Sequence, residues 1–150
     1  MNTIKILTEE NPILRKQSSK VDDVFDNEIA TLIKNMVQAM KDHNGIGLAA
    51  PQIGVAKRVI AVEMKDGPYI LINPKITKYS LEKEKAEEGC LSVPKRYGDV
   101  ERSECIEYQG LLPNGNEVSE KAEGLFARVI QHEIDHLDGI LFIDKIIDDK

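Results

Sequence analysis

No run of 18 apolar residues occurs anywhere in this 150-residue chain, so no segment reads as a transmembrane helix. The opening stretch, MNTIKILTEENPILRKQ, lacks the apolar core and small-residue cleavage site of a secretory signal. Cysteine is scarce, with Cys90 and Cys105 the only two. Two cysteines in a chain without an export signal are more often free thiols or metal ligands than a bridge. Basic charge is not in excess either. Lys and Arg number 20 against 26 Asp and Glu, a formal net charge of -6, and the lysines are interleaved with acids rather than gathered into a patch. That distribution argues against nucleic-acid binding. The glycine-rich stretch GIGLAAPQIG, 45–54, contains neither GK[ST] nor G-x-G-x-x-G spacing, so it reads poorly as a phosphate loop. Internal repeats and linkers are missing too. What remains is a cytoplasmic chain of one domain, 1–150, in which 41% hydrophobic residues can fill a core.

Hydrophobic spacing divides that chain into helix, strands and helix. After an extended N-terminal segment containing Asn11-Pro12, the stretch VFDNEIATLIKNMVQAMKDHNG carries Val24, Phe25, Ile29, Leu32, Ile33, Met36, Val37 and Met40 at helical steps. It predicts an amphipathic helix closed by Gly45, with its methionines in the core. Short β-branched runs then take over, and strands are expected over 58–64, 68–76, 100–110 and 117–124, with PNGN at 113–116 as a hairpin turn. The charge-rich EKEKAEE, 82–88, reads as a solvated loop or strand edge, except for Glu88, which adjoins Gly89 and Cys90. Helical spacing returns at Leu125, Phe126, Val129, Ile130, Ile134 and Leu137. Such an order predicts an α+β fold, with mostly antiparallel strands packed around a C-terminal helix and an N-terminal helix beside them.

The last helix carries the chemistry. In QHEIDHLDG, His132 and His136 are four residues apart and share a ridge with Leu125 and Val129, so both imidazoles point inward from the end of an apolar stripe. An H-E-x-x-H match on such a helix aims two ring nitrogens at one divalent ion. Glu133, roughly 100° around the axis from His132, can stand beside that ion as a helper base without joining its ligands. The alternative is two ordinary helix histidines. A catalytic site needs a third protein ligand and an open position, and Cys90, Cys105, His43 and the acids are the candidates. Cys90 is favoured because Gly89 and Pro94 constrain EGCLSVP, whereas Cys105 lies in SECIEY, an ordinary strand pattern. A buried, inert thiol stays open for either. The small residues of GIGLAAPQIG bring backbone close to a ligand, with Gln52 as a donor, or else pack a helix tightly on a strand with Gln52 at the surface.

GIGLAAPQ, EGCLS and QHEIDH, in this order and at these separations, closely resemble the three signature motifs of the bacterial peptide deformylases. The resemblance extends from NPILR through VPKRYGDVER to EGLFARVIQHEIDHLDGILFID, nearly the whole chain. It implies that Cys90, His132 and His136 hold one divalent metal, ferrous iron in most members, for which zinc, nickel or cobalt can substitute. It implies that Glu133 is the general acid/base and that the Gln52 amide and the Leu91 backbone N–H stabilise the oxyanion. Backbone at Ile46, Gly47 and Gly89 would pair with an extended peptide, and Leu125 and Val129 would wall an apolar pocket for a methionine side chain. The implied reaction is removal of the N-formyl group from nascent peptides that begin with formyl-methionine. Some members dock to the ribosome through a longer basic C-terminal tail; DKIIDDK is balanced or acidic, so transient ribosome proximity is expected without such a tail. No membrane or nucleic-acid partner is expected. Two rivals stand beside this reading: an H-E-x-x-H metallopeptidase cutting internal bonds, and a non-catalytic domain whose metal is structural, with Cys105 or His43 as fourth ligand.

Overall fold

The computed structural model describes residues 3–149; Met1, Asn2 and Lys150 lie outside it, and with them the ends of the export-signal and C-terminal-tail readings. A 3-10 turn, Pro12–Arg15, is followed by α1 (Asn27–Asp42), β1 (Gly47–Ala49) and a second 3-10 turn, Ala50–Ile53. Strands β2 (Val59–Met64), β3 (Gly67–Tyr79), β4 (Lys83–Cys90), β5 (Val93–Ser103), β6 (Cys105–Leu111) and β7 (Glu117–Glu123) lead into α2 (Gly124–Leu137). A third 3-10 turn, Phe142–Asp144, and β8 (Ile146–Asp149) complete the order. The named strands pair antiparallel throughout, in a five-stranded sheet ordered β1-β2-β3-β6-β7 and a three-stranded sheet ordered β4-β5-β8. This is the α+β fold expected from the sequence.

Alternation along the strands explains how the helices are placed. In β2, Val59 and Ala61 join α1 residues Leu32, Met36 and Ala39 in one core cluster, while Ile60 and Val62 join α2 residues Ala127, Ile130 and Leu137 in another. In β3, Ile70 and Ile72 face the first cluster and Leu71 the second. Successive strand residues point to opposite faces, so a strand covered by a helix on each side must be apolar at every position. That is why VIAV and ILI are unbroken runs. A third cluster, Val93, Val100, Leu141 and Phe142, fastens the small sheet to the segment after α2.

Several boundaries differ from the sequence pattern, each for a local reason. Helix α1 starts at Asn27 because the Asp26 side chain caps it, accepting from the Glu28 N–H at 2.9 Å; Phe25 stays outside and exposed. The left-handed residue after α1 is Asn44, with φ 56°, rather than Gly45. The expected strand 100–110 is two strands broken at Glu104, β5 belonging to the small sheet and β6 to the large one. Residues 83–88 of EKEKAEE lie in β4, an edge strand, and Glu82 precedes it. Helix α2 ends at Leu137. Gly139 takes φ 76°, and a Cβ there would lie 2.5 Å from the Arg15 carbonyl oxygen, so glycine is required both for the turn and for the approach.

Candidate metal centre

Helix α2 contacts β1 and β5, which brings two of its turns up to the end of β4. Cys90 closes β4, and His132 and His136 occupy successive turns of α2 at 7% and 1% exposure. The Cys90 thiol sulfur and one ring nitrogen from each histidine lie within 4.8 Å of one another. Cys90 Sγ is 3.3 Å from His136 Nε2. His132 Nδ1 donates to Glu88 Oε1 at 2.9 Å, an outer bond that fixes the ring and leaves Nε2 for the cluster. One thiolate with two imidazoles suits zinc or ferrous iron. Three protein ligands beside a cavity is the catalytic pattern, whereas a structural site is closed by four. Neither proposed fourth ligand reaches it: His43 Nε2 is engaged by the Ile4 carbonyl at 3.0 Å, and Cys105 is exposed on β6. Among the described residues the cluster contains Cys90, His132 and His136 alone.

Glu133 is buried next to this cluster, 4% exposed, and its Oε1 has no hydrogen-bond partner among the described residues. Burial pushes its carboxyl up to about 7. Its other oxygen faces β1, where a Cβ on Gly47 would lie 2.6 Å from Glu133 Oε2 and 2.8 Å from Val129 Cγ1. Only a residue without a side chain lets α2 come this close. Gly47→Ala is therefore expected to displace Glu133 and Val129 and to destabilise the chain by about 1–3 kcal/mol, the usual cost of overpacking. Urea unfolding measures it, and an unchanged midpoint would mean that the helix yields freely.

The neighbouring charges have opposed shifts. Burial alone would lower His132, but hydrogen bonds with Cys90 and Glu88 raise it, while burial and the His132 charge push His136 well down. Glu88 is buried too; burial would raise its carboxyl, yet the hydrogen bonds from His132 and Arg102 hold it well below the usual carboxylate range. Its oxygens accept from Arg102 Nε at 2.9 Å, Arg102 Nη2 at 3.0 Å and Arg128 Nη1 at 2.5 Å. Arg102 reaches onward to Asp135 at 2.6 Å. Of this network, the sequence singled out Glu88 alone, through its place beside Gly89 and Cys90. Nothing in the spacing of Arg102, Arg128 or Asp135 pointed to it.

Gln52 is 1% exposed, which removes the surface reading of its stretch. Its Oε1 accepts from the Ala49 N–H at 2.9 Å, and its Nε2 donates to Ser92 Oγ at 3.0 Å and Cys90 Sγ at 3.6 Å. The amide is thus held with its donor end toward the cluster, a placement that depends on Ser92, which sequence spacing did not flag. A cavity of about 490 Å³ opens here, lined by Ile46, Gly47, Gly89, Leu91, Leu125 and Val129 as well as Cys90, His132, Glu133 and Gln52. Leu125 departs from the inward ridge expected of it. It sits in the first turn of α2, 67% exposed, as an outer wall, while Val129 at 7% forms a deeper one. Strands β1 and β4 are edge strands of the two sheets, and both border the cavity through Gly47 and Gly89. Tyr97 closes over Gly89, where a Cβ would lie 2.7 Å from two of its ring carbons.

Comparison with known proteins agrees with this geometry. The peptide deformylase of Natranaerobius thermophilus is 49% identical over 142 residues, 94% of this chain and 90% of that one. The crystal structure of peptide deformylase from Thermotoga maritima superposes with a TM-score of 0.93 at 40% identity, covering 97% of this chain and 99% of its own. A class I type b peptide deformylase from Acinetobacter baumannii, solved with Met-Ala-Ser bound, gives a TM-score of 0.91 at 34% identity over 97% and 100% of the two chains. The family model for polypeptide deformylases matches residues 3–150, and the chain belongs to that family.

Proposed function

We propose that this chain, acting as one domain, is a metal-dependent hydrolase that removes the N-formyl group from the terminal formyl-methionine of nascent polypeptides and releases formate. The observation that carries the reading is the buried Glu133 carboxylate, with an unpartnered oxygen, beside a cluster of three ligand atoms at the wall of an open cavity. A divalent ion held by Cys90, His132 and His136, ferrous iron by family habit with zinc, nickel or cobalt as substitutes, supplies Lewis-acid polarisation and lowers the pKa of water toward about 7.

The chain's own residues do the rest. Glu133 takes the proton of the attacking water and returns it to the amide nitrogen as the carbon–nitrogen bond breaks, leaving a free amine and formate. Gln52 Nε2 and the Leu91 N–H donate to the formyl oxygen as it gains charge. Ile46 and Gly47 on one edge strand and Gly89 on the other offer backbone groups to an extended peptide, a mode that reads main chain more than side chains. Val129 and Leu125 wall the methionine side chain. Sequence tolerance beyond the first residue follows, as work on many nascent chains requires. The site of action is the cytoplasm, close to the ribosome only transiently. Partners are the formylated peptides rather than nucleic acid. In the structure, no helix among the described residues is long and apolar enough to cross a membrane.

Formate release from formyl-Met-Ala-Ser by anaerobically prepared protein tests the proposal. Cleavage of internal bonds in an unformylated peptide, with no formate released, would make the chain a peptidase instead. Val129→Phe is expected to raise KM for formyl-methionyl peptides about tenfold or more and to leave metal content unchanged, because the aromatic ring intrudes on the methionine pocket. Unchanged kinetics would remove Val129 from that pocket.

A further inference from the structure

The metal ligands come from two elements, Cys90 from the end of β4 and the two histidines from α2, so their separation depends on what holds helix to strand. Arg128 lies one helical turn before His132 and is 9% exposed. Its Nη1 donates to Glu88 Oε2 at 2.5 Å and to the Val100 carbonyl at 3.0 Å; its Nη2 donates to the Glu84 carbonyl at 2.6 Å. One side chain of α2 thereby grips β4 at two residues and β5 at a third. It also acts on the carboxylate that orients His132. Arg102 spans both oxygens of Glu88, and Arg128 adds a second bond to Oε2, so the carboxylate cannot turn and Oε1 stays aimed at His132 Nδ1, 2.9 Å away.

We propose that Arg128 is a positioning residue for the metal centre: through Glu88 it sets the orientation of His132, and through β4 and β5 it sets the distance between the histidines and Cys90. A planar guanidinium with a fixed fork of donors suits this task, because three acceptors on two strands must be met at once. Although Arg128 borders the cavity, each of its terminal nitrogens already donates to a protein acceptor, Nη1 to two and Nη2 to one. The role rests on the three-ligand metal reading but not on the identity of the substrate.

The test uses full-length Arg128→Met, Arg128→Lys, Glu88→Gln and the double variant Arg128→Met/Glu88→Gln, each in zinc and cobalt forms. Three quantities are measured: the rate of metal loss to a chelator, the visible spectrum of the cobalt form, and kcat and KM for formyl-Met-Ala-Ser. Outer partners of metal ligands are typically worth about 10- to 100-fold in affinity, so Arg128→Met is expected to lose metal faster by about that factor and to shift the cobalt bands. Arg128→Lys keeps the charge on Glu88 but not the full fork, so it should fall between wild type and Arg128→Met. In the Glu88→Gln background the Met substitution should accelerate metal loss by clearly less than it does alone, since part of its effect passes through Glu88. A lowered melting temperature with unchanged metal loss and unchanged cobalt bands would overturn the proposal, as would full additivity with Glu88→Gln. A rise in KM with metal properties intact would make Arg128 a substrate contact and overturn it too. If Arg128→Met does not fold, Arg128→Lys decides alone: metal loss and spectrum equal to wild type would sink the role. A wild-type chain that takes up no metal would overturn the metal centre itself and this role with it.

Discussion

Glu133→Gln is expected to keep its metal and to lose roughly 100- to 10,000-fold in turnover, the usual contribution of a positioned general acid/base. The amide preserves the shape that Gly47 and Val129 close around, so the loss isolates proton transfer from packing. Metal content measured on the same preparation separates the roles, because loss of the ion would make Glu133 a ligand. A second consequence concerns the metal-free chain. Burial raises the Glu133 carboxyl from the ordinary 4.5 to about 7, so between those values the folded state holds a proton that the unfolded state has released. Stability from this group is complete below about 4.5 and is lost as pH rises through about 7. Glutamine does not titrate. In the apo protein the substitution should therefore flatten the fall of unfolding free energy across that window, and an identical slope would mean that Glu133 is ionised throughout.

Gln52→Leu should lower kcat by roughly 100- to 1000-fold with KM little changed, the typical loss for one donor that acts on an oxyanion. The geometry favours a transition-state role, since the amide is held by Ala49 and Ser92 and cannot swing to follow a ground-state substrate. The substitution also strands the Ala49 N–H, 2.9 Å from the lost acceptor, which costs about 1–3 kcal/mol of stability. Thermal unfolding at assay temperature checks that the drop in kcat is not unfolding. A raised KM with unchanged kcat would make Gln52 a binding residue rather than an oxyanion donor.

The metal site is legible in the sequence because its parts are local. Helical spacing marks His132 and His136 as candidate ligands of one centre, and its place beside one of them marks Glu133 as the proposed base. Cys90 stands out from Cys105 because Gly89 and Pro94 constrain its surroundings, and the fold brings the first to the histidines and leaves the second exposed. The order of elements is legible too, since period-2 and period-3.6 patterns survive in sequence wherever one face is buried. Boundaries are harder. Glu104 divides two strands because they enter different sheets, and no residue there announces the change.

Determined by the sequence alone are the α+β class, the metal-type helix, the preferred thiol and the three motifs that name the family. The tertiary structure alone decided that Glu88 lies between Arg102 and Arg128, that Gln52 is locked by Ser92, that Leu125 stands at the mouth of the cavity, and that β8 returns to pair with β5. The reason is range. Helical and strand periodicities relate residues a few positions apart, whereas the side-chain contacts join residues 14 to 40 apart and the β5–β8 pairs join residues 46 to 51 apart. Contacts at such separations are set by how layers pack, and packing obeys shape and burial that no short stretch of residues encodes.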